Sequence, residues 1–487
     1  MECYKEVGNV IYTIDELLEL TNKYITDENQ IKLIKYAYLV ARRMHYNQRR
    51  KSGEEYIIHP LNVAYIAATY HLDYETICAS LLHDVVEDTT MSLEELKSLF
   101  GEKIAILVDG VTKISNMKFS TKDQEIKANQ NKILHGMCQD VRIIFIKLAD
   151  RLHNMRTISS MPSKKQLAKA NETYELYVPL AYRYGLYRVK EELEDISFFY
   201  RNRSGYERTL ETIETRKHEF YSILSEMKKN VYKNLISADI SPIIEESIKN
   251  VHGVYRRLSM GIGIENMHDL LSLKVIVSQI PDCYRTLGVL HSLYHHVDGR
   301  FKDYVFTPKS NNYRSLHTVL FSGTDYLVQA RIRTPEMNRF ATSGIMTYYQ
   351  ENQNQQEDIK KKLSEEFRFF KELVEASSLG ADTDVRKFVN EQMERKINVY
   401  TPDGTRIELP LGSTPIDVAF KLGEDYVIHF DAVFANNRPV GQDYRLNDGD
   451  IIKIVKNEEK YAPCKKWLHS AKTNYAKDGI KTLIKKN

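Results

Sequence analysis

The sequence predicts a multidomain, mainly α-helical protein: an all-helical N-terminal domain, a smaller α/β domain with a mixed sheet, and a β-grasp unit. Three observations carry this expectation. Apolar residues recur at three-to-four spacing through roughly the first 200 residues, and runs dense in Val, Ile and Leu follow only after about residue 240. From Lys396, a hairpin, one helix and further strands crowd into about sixty residues. At 487 residues the chain is long enough for about three cores. Its 42% hydrophobic and 28% charged residues are ordinary for a globular protein and argue against dominant disorder. The net charge of +3 favours no class of partner. Cys3, Cys78, Cys138, Cys283 and Cys464 are odd in number and far apart, without C-x-x-C. That pattern suits a reducing cytosol rather than a disulfide framework or zinc knuckle. MECYKEVGNVIYTIDELLEL has no basic flank ahead of an apolar block, and no apolar run is long enough to span a bilayer. A cytoplasmic protein with no membrane partner is expected.

Taken in order, residues 1–200 form the helical domain, in segments such as DENQIKLIKYAYLVARRMHY and VAYIAATYHLDYETICASLLHDVV separated by short polar turns. A charged amphipathic connector follows over 201–239. Over 240–350, LLSLKVIVSQ and DYLVQARIRT read as strands with the helical YRTLGVLHSLYHH between them. A second charged helical linker occupies 351–395. Over 396–456, KINVYTPDGTRIELP is a hairpin around Pro-Asp-Gly, and Thr414, Pro415 and Asp417 suit the cap and first turn of a helix. AVFANNRPV and NDGDIIKIV complete that sheet, and 457–487 is a lysine-rich tail.

The chemistry concentrates in SLLHDVVEDTT, where His83, Asp84, Glu87 and Asp88 fall on one arc of an otherwise buried helix. Burying three carboxylates and an imidazole together costs several kcal/mol unless a cation or substrate compensates. His59 stands before Pro60 at the mouth of another helix, and the apolar run VRIIFIKLAD ends in Asp150, with Asn154 one turn on. Singly these have bland readings, His59 as a surface histidine and Asp150 as an ion-pair partner of Lys147 or Arg151. Together, His59, His83, Asp84 and Asp150 make an N2O2 donor set for Mn2+, Fe2+ or Zn2+, and the carboxylates tilt it toward Mn2+. Glu87 and Asp88 then remain free to move protons.

These residues resemble the HD phosphohydrolases, and the wider text resembles the Rel/SpoT homologues, which make and degrade (p)ppGpp. QRRKSGEEYIIHP, LLHDVVEDT, LVDGVTKI, IKLADRLHNMRT, ETYELYVPLAYRYGL and ELEDISF look like that family's hydrolase half. RFKDYVFTPKSNNYRSLHT looks like its synthetase half, and the β-grasp like its TGS domain. The resemblance implies Mn2+ on His59, His83, Asp84 and Asp150, catalysis by Glu87 and Asp88, and nucleotide binding by Arg50, Lys51, Ser52, Asn154 and Thr157. The implied reaction removes the 3′-diphosphate of (p)ppGpp as pyrophosphate, leaving GDP or GTP. In the second domain it implies a synthetase-like site of Arg256, Asp269, Arg300, Lys302, Lys309, Tyr313 and Gln329, with Mg2+ on Asp269 and guanine stacked on Tyr313.

Three departures count against synthesis. Gln329 stands where the family's catalytic glutamate belongs, and a neutral amide neither takes the 3′-hydroxyl proton nor offers Mg2+ an anionic ligand. The loop SMGIGIEN lacks the family's lysines, and Asn312, Arg314 and Tyr348 replace its usual Gly, Gln and His. The expectation is an inactive synthetase domain, retained as a regulatory site for GDP or GTP. The TGS-like unit implies contact with uncharged tRNA on the ribosome. The family's longer members continue a few hundred residues further, so this chain is a short member or part of a longer one. The rival readings are a bifunctional synthetase/hydrolase, an HD phosphatase for another nucleotide, and a ribosome- or tRNA-binding sensor with a vestigial hydrolase.

Overall fold

The computed structural model describes residues 11–112, 140–309, 313–350, 396–459 and 461–486. The linker expected over 351–395, Asn312, and Cys3 and Cys138 lie outside the described residues. The chain forms two compact units, Met1–Thr383 and Asp384–Asn487.

The first unit begins with helices only: α1 (Ile14–Thr21), α2 (Glu28–Met44), α3 (Ile58–Thr69), α4 (Tyr74–Leu82), α5 (Val85–Asp88), α6 (Leu93–Phe100), α7 (Glu102–Val111), α8 (Arg142–Arg156), α9 (Ser163–Glu172), α10 (Val178–Arg183) and α11 (Tyr187–Arg201). Their starts follow from the sequence. Thr13 with Glu16 and Ser92 with Glu95 form capping boxes, and Asp27 and Asp73 accept backbone amides as N-caps. Helix α8 is buried around its whole circumference from Ile143 to Leu148, apolar throughout except for Lys147. It thereby carries Asp150 into the interior. Between α9 and α10 the chain takes a π-helical turn, Thr173–Tyr177.

The expected connector is one helix, α12 (Arg203–Ser237), and it does more than connect. Its stripe Phe220, Leu224, Met227, Val231 and Leu235 belongs to the core beneath a five-stranded sheet. The strands are β1 (Ile243–Ile248), β2 (Leu271–Ile276), β3 (Lys302–Asp303), β4 (Leu316–Phe321) and β5 (Leu327–Arg333). Their order is β1-β2-β5-β4-β3, with β2 and β5 parallel and every other pair antiparallel. The two strands expected from LLSLKVIVSQ and DYLVQARIRT are thus the sheet's centre, and α14 (Ile280–Leu293) lies between them in sequence. Also in this half are α13 (Val251–Ser259), α15 (Pro335–Ser343) and α16 (Thr347–Gln350).

Among the contacts that tie the helical and α/β halves of this unit, two involve the main chain at α11 and at Gly344. Asp195 of α11 accepts from the amides of Val251 and His252 at the start of α13, at 3.2 and 2.8 Å, and from Asn250 at 2.9 Å. The Ile345 amide donates to the Tyr184 carbonyl at 3.0 Å, beside Gly344. A Cβ on Gly344 would collide with that carbonyl, and its φ of 54° also favours glycine.

The second unit contains the hairpin β6 (Lys396–Tyr400) and β7 (Arg406–Pro410), then α17 (Pro415–Leu422), α18 (Glu424–Ile428), β8 (Phe430–Ala435), β9 (Arg438–Val440) and β10 (Ile452–Lys456). The strands form a two-stranded and a three-stranded sheet, linked by a parallel bridge from Tyr400 to Ile451. The residues after 456 are not a separate tail. Within α19 (Trp467–Ser470) and α20 (Asn474–Lys486), Trp467, Ala476, Ile480 and Leu483 complete the unit's apolar core.

Candidate active site

Three helical segments of the first unit converge on one polar cluster. His59 is the second residue of α3, His83 and Asp84 lie in the turn after α4, and Asp150 sits in the buried helix α8. Nε2 of His59 is 3.3 Å from Oδ1 of Asp150 and 3.6 Å from Oδ2 of Asp84, and Nε2 of His83 is 3.2 Å from Oδ1 of Asp84. His59, His83 and Asp150 each present a ligand atom, all within 4.8 Å of one another. Bonds of about 2.1 Å to one divalent cation place adjacent ligands about 3 Å apart and opposite ones about 4.2 Å apart. The three separations of 3.2, 3.3 and 3.6 Å fall in that range.

The ring of His83 makes the same point by its proton. Its Nδ1 lies 2.8 Å from the Ser80 carbonyl, which can only accept, so Nδ1 carries the hydrogen. Nε2 then faces the cluster, buried, 3.2 Å from Oδ1 of Asp84 but without a well-formed hydrogen bond. An orphaned buried nitrogen of this kind is what a cation would satisfy. Burial opposes a charge on His83, yet Asp84 outweighs it and raises the imidazole's pKa. Burial likewise opposes ionisation of Asp150, but Lys147, 3.1 Å from its Oδ2, and then His59 hold its pKa well down. The cluster is therefore anionic at its carboxylates and attracts positive charge.

Two expectations need correction. No unbroken helix carries His83, Asp84, Glu87 and Asp88 along one face: α4 ends at Leu82, and α5 is a single turn starting at Val85. The His83 ring competes for the Ser80 carbonyl, a main-chain acceptor of the helical ladder, and Asp84 (φ −96°, ψ −7°) leaves regular helical geometry. Nor are three carboxylates buried there. Asp84 and Glu87 are partly buried and Asp88 is exposed.

Around this cluster, Arg50 donates to Oδ1 of Asn154 at 2.8 Å, and Asn154 in turn donates to Asp150. Lys51 and Ser52 lie exposed in the turn before α3. Thr157 ends α8 with its hydroxyl given to the His153 carbonyl at 3.1 Å, rather than turned toward the cluster. Two residues escaped the sequence reading. The phenol of Tyr56 lies 2.8 Å from Asp84 and 2.7 Å from Asp88, joining a candidate ligand to a candidate proton carrier. Burial, and then Asp84, push that phenol's pKa well up, so it stays a donor. His153 packs against His59 from 94 positions away in sequence. Nothing local marks either one.

The second domain holds its polar residues differently. Oδ2 of Asp269 is 2.9 Å from Lys249 and 3.0 Å from Arg257. Burial opposes its ionisation, but these two cations outweigh it and hold the carboxyl at about 2. The arginine beside Asp269 is therefore Arg257; Arg256, named from the sequence, is exposed. Gln329 accepts from Arg331 at 2.8 Å. Tyr313 is 7% exposed, its hydroxyl 2.9 Å from both His317 and Arg333, and its ring meets Tyr187 of the helical half edge-on at 5.9 Å. The ammonium of Lys309 is 4.9 Å from that ring's centre. Arg300 and Lys302 are exposed near β3. Burial, with Arg331, Lys309 and Arg333 near it, drives the pKa of His317 far down. This pocket is cationic, and Asp269, the acid expected to hold Mg2+, is already paired twice.

Comparison with known proteins agrees with this division of the chain. Three family models match: an HD domain over 37–187, a region found in RelA / SpoT proteins over 215–354, and a TGS domain over 397–456. The chain is 37% identical over 459 residues to a guanosine-3′,5′-bis(diphosphate) 3′-pyrophosphohydrolase of Aquifex aeolicus, covering 93% of this chain and 64% of that one. It is 35% identical to a GTP pyrophosphokinase of Myxococcus xanthus, covering 93% and 60%. With the bifunctional (p)ppGpp synthase/hydrolase SpoT of Escherichia coli K12 it shares 34% identity over 480 residues, 98% of this chain and 68% of that one. The chain thus spans about 60–68% of the length of these relatives. An HD helical domain, a RelA/SpoT sheet domain and a TGS β-grasp in this order, shared with such relatives at this identity, place the chain in the Rel/SpoT family.

Proposed function

We propose that the chain is a Mn2+-dependent guanosine-3′,5′-bis(diphosphate) 3′-pyrophosphohydrolase that degrades (p)ppGpp in the cytoplasm, within stringent-response control. The observation that carries this reading is an asymmetry. In the helical half, His59, His83, Asp84 and Asp150 bring two imidazoles and two carboxylates together, whereas in the sheet half Gln329 is neutral and Asp269 is one carboxylate whose Oδ2 is held by Lys249 and Arg257, leaving only its Oδ1 unpartnered. Two imidazoles and two carboxylates suit Mn2+, Fe2+ or Zn2+, and the carboxylates tilt the choice toward Mn2+.

The chain's own residues divide the work. His59, His83, Asp84 and Asp150 would hold the cation, which when bound activates water near neutral pH and neutralises phosphate charge. Arg50, Lys51, Ser52, Asn154 and Thr157 form the proposed nucleotide subsite, with Arg50 fixed by its bond to Asn154. Water attacks the phosphorus bonded to the 3′ oxygen; the P–O3′ bond breaks and pyrophosphate leaves. Glu87 and Asp88 would position that water and deliver the proton the departing 3′ oxygen needs to become a hydroxyl. The cationic pocket of Lys309, Arg331 and Arg333 would retain GDP or GTP as a regulatory ligand without synthesis. The second unit's TGS domain, by family, would meet uncharged tRNA on the ribosome.

The test is ppGpp turnover by wild type and Asp150→Ala, each with Mn2+ or with EDTA. Wild type with Mn2+ is expected to consume ppGpp. The variant, or EDTA, is expected to cost more than the roughly 10–100-fold that loss of an outer-shell partner causes. Equal rates in all four conditions overturn the proposal. A parallel incubation with labelled ATP and GDP is expected to yield no pppGpp or ppGpp; robust product makes the enzyme bifunctional.

A further inference from the structure

The second nitrogen of His59 has its own partner. Its Nδ1 lies 2.8 Å from Nδ1 of His153, with the ring centroids 4.9 Å apart and the planes tilted by 42°. His153 stands one helical turn beyond Asp150 on α8, and both rings are buried, His59 at 2% and His153 at 5% exposure. Two ring nitrogens at this distance share one proton, so one donates and the other accepts.

Which one donates decides what His59 shows the metal centre. Its Nε2 faces Asp150 and Asp84. For that nitrogen to offer a lone pair, the ring's proton must sit on Nδ1, and Nδ1 must then donate to His153. In the reverse arrangement His153 donates, and the neutral His59 carries its hydrogen on Nε2, aimed at the place a cation would occupy. Ligand histidines usually give their outer N–H to a carboxylate, a carbonyl or water, and the first two can only accept. Here the partner is another imidazole, so the correct tautomer of His59 requires the complementary one in His153.

We infer that His153 is a positioning residue of the metal centre: its bare Nδ1 accepts the Nδ1 proton of His59 and so keeps Nε2 of His59 available as a ligand. The inference rests on the metal reading proposed above. His153 touches neither substrate nor cation; it acts through His59.

Asparagine and glutamine separate this role from mere packing. The amide oxygen of an asparagine at this position reaches roughly where Nδ1 stands, whereas that of a glutamine reaches roughly where Nε2 stands. Mn2+ affinity is measured from the free-Mn2+ electron paramagnetic resonance signal for wild type, His153→Gln, His153→Asn and, as a control, His83→Ala. His153→Gln is expected to weaken Mn2+ binding about 10–100-fold and His153→Asn to stay within about threefold of wild type. If the glutamine variant does not fold, His153→Phe, similar in shape with no acceptor, replaces it with the same expectation. In the wild type loaded with diamagnetic Zn2+, 15N shifts are expected to show the His59 hydrogen on Nδ1. Equal Mn2+ affinity in the folded glutamine or phenylalanine variant, or a hydrogen on Nε2 of His59, overturns the positioning role alone. Failure of the wild type to bind Mn2+ more tightly than His83→Ala removes the metal reading itself, and the positioning role with it.

Discussion

Single side chains show both the reach of the sequence and its limit. His59, His83, Asp84 and Asp150 were legible because each interrupts apolar helical text, where an unpaired polar group is costly and so calls for a reason. Tyr56 was not, since a tyrosine three residues before a histidine is unremarkable until folding places its hydroxyl between Asp84 and Asp88. A phenol has one proton to donate, so it can serve only one of these carboxylates at a time while orienting both. Tyr56→Phe keeps the ring and its stack on His45 at 4.6 Å but loses both contacts. The expected result is a fall in kcat for ppGpp hydrolysis of about 10–100-fold with little change in melting temperature. An unchanged kcat would show that Asp84 and Asp88 need no shared partner. His153 escaped the sequence for the same reason: a contact spanning 94 residues belongs to the tertiary fold, and no local spacing encodes it.

Elements were legible where periodicity was strong and misread where a side chain competes with the backbone. The central strands β2 and β5 follow from their β-branched content, and α8 from its run of Ile, Phe and Leu broken only by Lys147. The break between α4 and α5 does not, because it depends on the His83 ring reaching back to the Ser80 carbonyl. A further element-level feature, the junction of α11 with α13, yields a pH prediction. Burial pushes the Asp195 carboxyl up to about 6, against the pull of three donors from Asn250, Val251 and His252. Glu194 beside it adds to the rise, and His252 lies 3.7 Å from Glu194. A pKa raised on folding means the native state holds this proton more tightly than the unfolded chain does. Its stabilising share is therefore complete below about pH 4 and is lost as pH rises through about 6. A rise from an ordinary 3.8 to about 6 corresponds to about 3 kcal/mol at most. Urea unfolding of wild type and Asp195→Asn across that window is expected to show the variant gaining on wild type as pH rises. A difference constant with pH would mean that the donors, not burial, govern Asp195.

At the scale of the whole molecule, the order of a helical domain, an α/β domain and a β-grasp was readable from the helical periodicity, the strand-like runs after about residue 240 and the hairpin signals from Lys396. The fate of the last thirty or so residues was not, because their lysines read as a solvated tail while Trp467, Ile480 and Leu483 fill the core of the second unit. Their attachment runs through Asp417, 1% exposed, which accepts from the amides of Lys472 and Thr473 and from the Thr473 hydroxyl at the start of α20. Trp467 is the only tryptophan in the chain, buried at 1% with its indole N–H on Gln442, so tryptophan fluorescence reports the second unit. Far-UV circular dichroism is weighted toward the helices of the first, where the proposed metal site lies. Two perturbations should therefore separate. Mn2+ at about 100 times its Kd stabilises what binds it by about 2.7 kcal/mol, raising the dichroism transition and leaving the fluorescence transition in place. Asp417→Ala strands those buried donors at a cost of about 1–3 kcal/mol, lowering the fluorescence transition while ppGpp hydrolysis at 25 °C is unchanged. If Mn2+ moves both transitions together, the two units unfold as one, and occupancy of the proposed metal site is felt in the TGS domain.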